Sequence, residues 1–141
     1  MKVLKKTGLN ILVAGPGWSS GPISESEMIK LFSNSKIILG VGDMGYSRWL
    51  TNLKGRDFEA TSVGGGVYLT TFNSDLAECF KISSEILCYR GVEEMVEVIM
   101  RSINNDDELG LMARLSREKC IRDHQWTSRF NSITDFLKIT S

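Results

Sequence analysis

The sequence predicts an α/β fold: a Rossmann-like parallel sheet flanked by helices, followed by a helical C-terminal part. Up to Tyr89, short apolar runs rich in β-forming residues alternate with helical segments. After Tyr89, apolar residues recur at helical spacing. Strands that are apolar throughout are typical of a parallel sheet covered on both faces. Ligands of such sheets bind at the carboxyl ends of the strands, so the loops there are the first place to look for a site.

The composition limits the classes of function. The 141 residues fit one domain, and 42% hydrophobic residues can form a sizeable core. Basic and acidic residues both number 17, so the basic excess of a nucleic-acid-binding protein is absent. No apolar run is long enough to span a bilayer, and the N-terminal residues do not form a signal-peptide pattern.

The three cysteines are widely spaced, and no two of them form a C-x-x-C pair. This pattern argues against a disulfide framework or a zinc site and suits a cytoplasmic protein. We interpret the cysteines as small buried apolar groups rather than as nucleophiles.

The first predicted strand is Asn10 to Ala14, an apolar run closed by Gly15-Pro16-Gly17. Ser24 and Glu27 have the spacing of a capping box, which predicts that a helix begins there. The second predicted strand is Lys36 to Gly40.

The middle of the chain begins with Gly42 to Asn52, a predicted loop without periodicity that carries several aromatic and charged residues. A helix is predicted from Gly55 to Val63, where Gly64-Gly65-Gly66 stops it. Val67 to Thr71 is the third strand, and Ile86 to Tyr89 is the fourth.

The remaining predicted elements are helices. Asn73 or Ser74 caps a short one before the fourth strand, and Val92 to Ile103 forms an amphipathic one after it. Asp106 or Asp107 caps the next helix, which reaches about Asp123. Thr127 caps the last helix, whose apolar face carries Phe130, Ile133, Phe136 and Leu137.

Three predicted loops lie at carboxyl ends of strands: Gly15 to Gly21, Gly40 to Lys54, and Thr70 to Ser74. The segment that follows the second loop carries the most chemistry. Lys54 and Arg56 near a helix N-terminus would suit a diphosphate, because free amides, the helix dipole and the arginine fork all favour anions. Glu59, one turn further on, could accept two hydrogen bonds from a ribose diol.

Gly64 to Gly66 would let the backbone approach a ligand closely. The same segment has a plainer interpretation, in which Lys54 and Arg56 are solvated charges, Glu59 is an exposed helix residue and the glycines only stop a helix. Residue types alone leave both interpretations open.

A longer pattern runs through most of the chain in a defined order and spacing. Its pieces are a strand ending in Gly15-Pro16-Gly17-Trp18, the Ser26 to Ile38 helix and strand, Lys54-Gly55-Arg56-Asp57-Phe58-Glu59-Ala60, Gly64 to Thr71, Asp75-Leu76 before Phe80, Glu85-Ile86 with Tyr89, the Glu93-Glu94 helix, and His124-x-Trp126-x-x-Arg129. This pattern resembles the donor-binding, C-terminal half of group 1 glycosyltransferases with the GT-B fold. It is most similar to the branch that includes the CgeB-like spore maturation proteins.

The resemblance implies a role for each matching residue. Glu59 would bind the ribose of a nucleotide sugar, and Lys54 and Arg56 would face its diphosphate. The segment Gly64, Gly65 and Gly66 would lie under the nucleotide sugar. The turn that contains Gly15 and Gly17 would lie near the base or the ribose.

The implied reaction is transfer of a sugar from a UDP- or GDP-linked donor to an unknown acceptor, with retention by analogy and with no cofactor or metal. On this view residues 1–141 form one nucleotide-sugar-binding domain. Its partner would be an N-terminal acceptor domain, without which the chain would be inactive. Many relatives carry a second glutamate eight positions before the ribose-binding one, where this chain has Thr51.

Two other classes of function stay open. One is a non-catalytic regulatory or interaction domain that retains the GT-B half-fold, which the Thr51 departure allows. The other is a flavodoxin or response-regulator type, but Gly15-Pro16-Gly17-Trp18 offers neither a phosphate-binding loop nor an acidic cluster. A true donor site predicts that Arg56 and Glu59 point into one cleft, whereas a relic predicts that they face solvent or are blocked.

The remaining candidates favour structural roles. His124, the only histidine, could act as a general base, but a packing or capping role is favoured. Asp106 to Glu108 resembles a helix start more than a metal site. Met95, Met100 and Met112 are predicted to be core residues.

Overall fold

A computed structural model describes residues 3–44 and 47–137, with the backbone alone at residues 43, 44 and 47–51. The chain divides into two compact units, residues 1–31 and 32–141. The helices are α1 (Glu25–Ser33), α2 (Gly55–Val63), α3 (Ser74–Cys79), α4 (Val92–Ser102), α5 (Asp106–Asp123) and α6 (Trp126–Phe136). The strands are β1 (Ile37–Leu39), β2 (Asp43–Met44), β3 (Ser47–Thr51), β4 (Val67–Thr71) and β5 (Leu87–Tyr89).

The first unit holds a 3-10 turn at Leu4–Lys6, a glycine-rich turn and most of α1. The predicted capping box is confirmed: Ser24 N donates to Glu27 Oε2 at 2.8 Å, and Glu27 N donates to Ser24 Oγ at 3.3 Å. These bonds satisfy orphan amides at the start of α1 and explain why the helix begins there.

The predicted strand Asn10 to Ala14 is wrong, because this segment has no secondary structure. Leu12 is 70% exposed. A β-strand exists through hydrogen bonds to a neighbouring strand, and an apolar run does not supply that neighbour by itself.

The second unit contains a parallel sheet in the order β1-β4-β5, as the fold class predicts. The central strand β4 pairs with β1 at Ile38 and with β5 at Leu87. It is buried from Val67 to Thr70, on both sheet faces, because successive residues point to opposite sides. Helix α2 packs on β4, and α5 packs on both α2 and β4. Helix α4 packs on β5.

The segment Gly42 to Asn52 is not the featureless loop that was predicted. Strands β2 and β3 pair there as an antiparallel ladder, with Asp43 opposite Thr51. Such a ladder forms between chain neighbours through backbone hydrogen bonds, so it needs no apolar alternation. Tyr46, which the loop was expected to carry, lies outside the described residues.

Helix caps agree with the prediction at α3 and differ at the last two helices. Asn73 Oδ1 accepts the amide of Asp75 at 2.9 Å, as predicted for α3. Helix α5 is capped by Asn105, one residue before the predicted acidic caps. Helix α6 begins at Trp126, so the predicted cap Thr127 is wrong and lies inside the helix.

An apolar cluster forms part of the core of the second unit. It comprises Ile38, Ala60, Tyr68, Leu76, Phe80, Ile86 and Cys120. Met95 and Met112 are buried as predicted, but Met100 is exposed, so its assignment to the core is wrong. The predicted apolar stripe at α6 exists, but its members are exposed: Phe130, Ile133, Phe136 and Leu137.

Candidate functional site

The first turn of α2 lies at the carboxyl edge of the sheet. Helix α2 leads through Gly64 to Gly66 directly into the amino end of β4 and packs along that strand. It therefore runs against the strand direction, and its N-terminus lies at the edge where ligands of parallel sheets bind. Lys54, Arg56 and Glu59 are thus placed at the predicted edge.

Arg56 and Glu59 lie side by side on α2. Arg56 Nε is 3.8 Å from Glu59 Oε2, and the two side chains are 55% and 58% exposed. A Cβ added to Gly55 would lie 3.3 Å from Glu59 Oε1, so the carboxylate lies over the first turn. A cation and a bidentate acceptor are therefore both accessible next to the helix N-terminus.

Lys54 is held more tightly than Arg56. Its Nζ donates to the carbonyl oxygen of Val41 at 2.7 Å, which joins the start of α2 to the segment after β1. This bond places the ammonium group at the same edge of the sheet.

Asp57 and Tyr68 were not predicted as functional residues. The Tyr68 hydroxyl donates to Asp57 Oδ1 at 2.7 Å, and the amide of Lys54 donates to Asp57 Oδ2 at 2.7 Å. Asp57 is 3% exposed and Tyr68 is 1% exposed. Burial raises the pKa of the Tyr68 phenol well above its usual value, and the hydrogen bond to Asp57 raises it further. The sequence did carry one signal for Asp57. It is the third residue of a predicted helix, and acidic residues in the first turn stabilise a helix N-terminus.

Gly64, Gly65 and Gly66 lie at the other end of α2, about 13 Å from its start at 1.5 Å per residue. Gly64 ends the helix with φ 75°, the left-handed conformation typical of this position. A Cβ on Gly65 would lie closer than 3.0 Å to the backbone of Ser33, and one on Gly66 would meet the carbonyl oxygen of Ser35. The atoms nearest to these two glycines are protein backbone.

A shallow cavity of about 230 Å³ lies near Gly65, with Lys36 and Asp106 in its lining. It is at the amino edge of the sheet, because Lys36 and Gly65 both precede strands. The structure does not bring Gly64 to Gly66 together with Arg56 and Glu59.

Gly15 and Gly17 belong to the first unit and form a tight turn there. Their φ values are 128° and 84°, which L-residues rarely adopt. The amide of Gly15 donates to the carbonyl of Gly21 at 2.7 Å and closes the turn. The predicted turn is therefore present at these residues.

Three segments meet at the carboxyl edge of the sheet. The amide of Gly42, after β1, donates to Thr71 Oγ1 at the end of β4 with a length of 3.2 Å. Beyond β5, the Arg90 guanidinium lies 3.9 Å from the centre of the Phe72 ring, in a cation–π contact. Sequence reasoning missed this pair, because nothing in the sequence shows that the ends of β4 and β5 are adjacent.

The family model for glycosyl transferase-like proteins matches residues 1–135. The chain belongs to the glycosyl transferase-like family. No curated protein and no solved structure matches it. Within the described residues, no helix is long and apolar enough to cross a membrane. No three His, Cys, Asp or Glu side chains in 3–44 and 47–137 lie together as metal ligands would.

In this glycosyl transferase-like chain, His124 joins three helices. Its Nε2 lies 3.1 Å from the carbonyl oxygen of Cys79, so this nitrogen carries the proton of the hydrogen bond. Its ring is 5.1 Å from that of Phe58 and 5.2 Å from that of Phe80. The Arg129 guanidinium also lies over the Phe58 ring, 4.5 Å from its centre. These are the contacts of a packing and capping residue.

The three cysteines of this family member are free thiols. Burial raises the pKa of all three, and it raises the pKa of Cys88 to about 11. The thiolate is the nucleophile, so these side chains are poorly suited to nucleophilic chemistry near neutral pH.

We therefore predict slow alkylation of the native protein. At pH 8, Cys88 should react with iodoacetamide roughly 100-fold more slowly than a thiol of unshifted pKa. A pKa raised by about two units lowers the fraction of the reactive thiolate by that factor. Mass spectrometry of peptides after timed labelling gives the rate at each cysteine. Labelling in denaturant is the control, and equal rates in the native and denatured chains would contradict the prediction.

Proposed function

We propose that this chain binds the nucleoside-diphosphate part of a sugar donor, for glycosyl transfer to an acceptor. The observation that carries the proposal is the pairing of Arg56 with Glu59 at the start of α2. The two side chains are adjacent, accessible and located at the ligand-binding edge of a parallel sheet.

The diphosphate would lie against the first turn of α2. Arg56 supplies a fork of N–H donors that matches phosphate oxygens, and the positive end of the helix dipole adds to this attraction. Lys54 is at the same turn and adds a second cation. Glu59 carries two carboxylate oxygens on the same face, which suits the two hydroxyls of a ribose.

In this proposal the chain is the donor half of a two-domain GT-B enzyme of the CgeB-like branch. Arg56 and Glu59 are both more than half exposed, so they line one wall rather than a closed cleft. A separate acceptor domain would supply the opposite wall and the catalytic groups. The chain alone would then bind a UDP- or GDP-linked sugar weakly and would not transfer it. Retention and a cytoplasmic location belong to the same proposal.

Two observations favour the non-catalytic alternative. Arg56 and Glu59 are exposed rather than enclosed in a cleft, which is one of the two arrangements expected of a relic, and protein backbone lies close to Gly65 and Gly66. A domain that has lost its ligand would keep this architecture and use it for interaction. Binding of a nucleotide therefore decides between the two functions.

The test is an amide NMR titration of the chain with UDP, GDP, ADP and their sugar conjugates. We expect a Kd of about 1 mM for one base, with shifts at Lys54 to Glu59. Glu59→Ala should raise this Kd roughly tenfold, because hydrogen bonds to a charged group are lost.

The matched control is Glu97→Ala, which removes an exposed glutamate from α4. It should leave the Kd unchanged. If no nucleotide shifts any amide, or if both variants weaken binding equally, the donor site at α2 is wrong. The non-catalytic alternative would then be preferred.

A further inference from the structure

A buried carboxylate lies directly beneath the proposed donor site. Asp57 accepts one hydrogen bond from the Tyr68 hydroxyl and one from the amide of Lys54, and both are 2.7 Å long. A buried carboxylate is costly unless hydrogen bonds replace its water. The two bonds therefore hold the first turn of α2 in one place on the sheet.

Tyr68 is itself held rigidly in the middle of the sheet. It lies on β4 and pairs with Ile38 of β1. A Cβ at Gly40 would overlap the Tyr68 hydroxyl and ring, so the chain after β1 passes directly against this side chain. The hydroxyl has little freedom to move, and it presents a fixed donor to Asp57.

Because α2 is a regular helix, fixing the position of Asp57 also fixes the directions in which Arg56 and Glu59 point. Successive residues of an α-helix are about 100° apart, so Arg56 and Glu59 lie about 60° from each other on one face. Asp57 lies about 100° from Arg56 and about 160° from Glu59. A helix whose Asp57 is fixed inward must therefore present Glu59 outward.

We propose that the Asp57–Tyr68 hydrogen bond is a positioning element that sets the orientation of Arg56 and Glu59 for the donor. This inference rests on the proposed function for its role in binding. Neither residue touches the ligand in this arrangement, and both act through the first turn of α2.

The first test compares two tyrosine variants by NMR titration with UDP and GDP. Tyr68→Phe keeps the ring and removes only the hydroxyl that donates to Asp57. Tyr89→Phe is the matched control, since the buried Tyr89 hydroxyl donates at 2.9 Å to the carbonyl of Gly40, in a loop rather than in α2. We expect Tyr68→Phe to raise the Kd about fivefold and Tyr89→Phe to change it less than about twofold. Equal effects of the two variants would overturn the proposal.

A second test asks whether Tyr68 acts through Glu59. If the hydroxyl orients Glu59, then Tyr68→Phe should cost much less affinity in a chain that already carries Glu59→Ala. The two effects on Kd would then be clearly non-additive. Strictly additive effects would show that Tyr68 acts independently of the site and would overturn the proposal.

A third measurement needs no ligand, so it separates this inference from the proposed function. The amide of Lys54 is bonded to Asp57, whereas the amide of Met95, in α4, is bonded to the carbonyl of Gly91 at 2.9 Å. In Tyr68→Phe, hydrogen exchange at Lys54 should accelerate about tenfold more than at Met95. Equal acceleration would overturn the positioning role. The original chain could bind no nucleotide while Tyr68→Phe accelerated hydrogen exchange at Lys54 alone. That result would contradict the proposed function and support the role of the Asp57–Tyr68 hydrogen bond in positioning α2.

Discussion

Replacing Gly65 with alanine is expected to destabilise the protein by about 3 kcal/mol. The added Cβ would lie closer than 3.0 Å to the Cα of Ser33 and to both atoms of its carbonyl group. These are backbone atoms at the end of α1, so they cannot rotate away as a flexible side chain can. The segment before β4 would have to move, and the buried residues of that strand would move with it. Urea unfolding followed by circular dichroism measures the loss.

Gly110→Ala is the matched control for this substitution, and its effect should have the opposite sign. Gly110 lies inside α5, is exposed, and has nothing within 4 Å of its added Cβ. Alanine in a helix interior is more stable than glycine by roughly 0.5–1 kcal/mol, so the midpoint of unfolding should rise. A Gly65→Ala midpoint that stays within error of the original chain would disprove the backbone contact with Ser33.

The bounds of α2 and β4 could be predicted from the sequence because their signals are local. Glycine residues flank the helix on both sides, and Val67 to Thr71 is rich in β-forming residues. The prediction of Asn10 to Ala14 failed for the opposite reason. An apolar run becomes a strand only when another strand lies beside it, and that neighbour is not encoded in the run itself.

Part of the geometry at the start of α2 could be predicted. The positions of Lys54, Arg56 and Glu59 near the N-terminus of α2 followed from the sequence, and their role in binding a donor stays a prediction. The Asp57–Tyr68 bond was not found, because it joins a helix to a strand 11 residues away and depends on how the two pack. The sequence assigned Gly64 to Gly66 to a ligand, which stays a prediction. The structure places the backbone of Ser33 against Gly65 and that of Ser35 against Gly66.

Helix α6 shows the same limit at the level of packing. Its stripe of apolar residues was predicted correctly from their spacing. Spacing gives the face on which residues lie, but it does not show whether another element covers that face. Phe136 is 85% exposed.

Replacing Phe80 with alanine is expected to destabilise the protein by about 3–5 kcal/mol. Phe80 is 1% exposed and follows α3, with its ring 5.8 Å from that of Phe58 and 5.2 Å from that of His124. Its removal would leave a cavity between α2, α3 and the end of α5. The His124 ring would lose one of the two phenyl rings that hold it. A fall in the melting temperature and in the urea midpoint would measure the effect.

Phe136→Ala makes the same chemical change on α6 and is the control. Because Phe136 is exposed, its truncation removes little buried surface, and the free energy of unfolding should change by less than about 0.5 kcal/mol. Both variants replace phenylalanine with alanine, so the difference between their free energies of unfolding reports the effect of burial alone. A loss at Phe136 as large as that at Phe80 would mean that the stripe of α6 is covered in solution, and the exposed face described above would then be wrong.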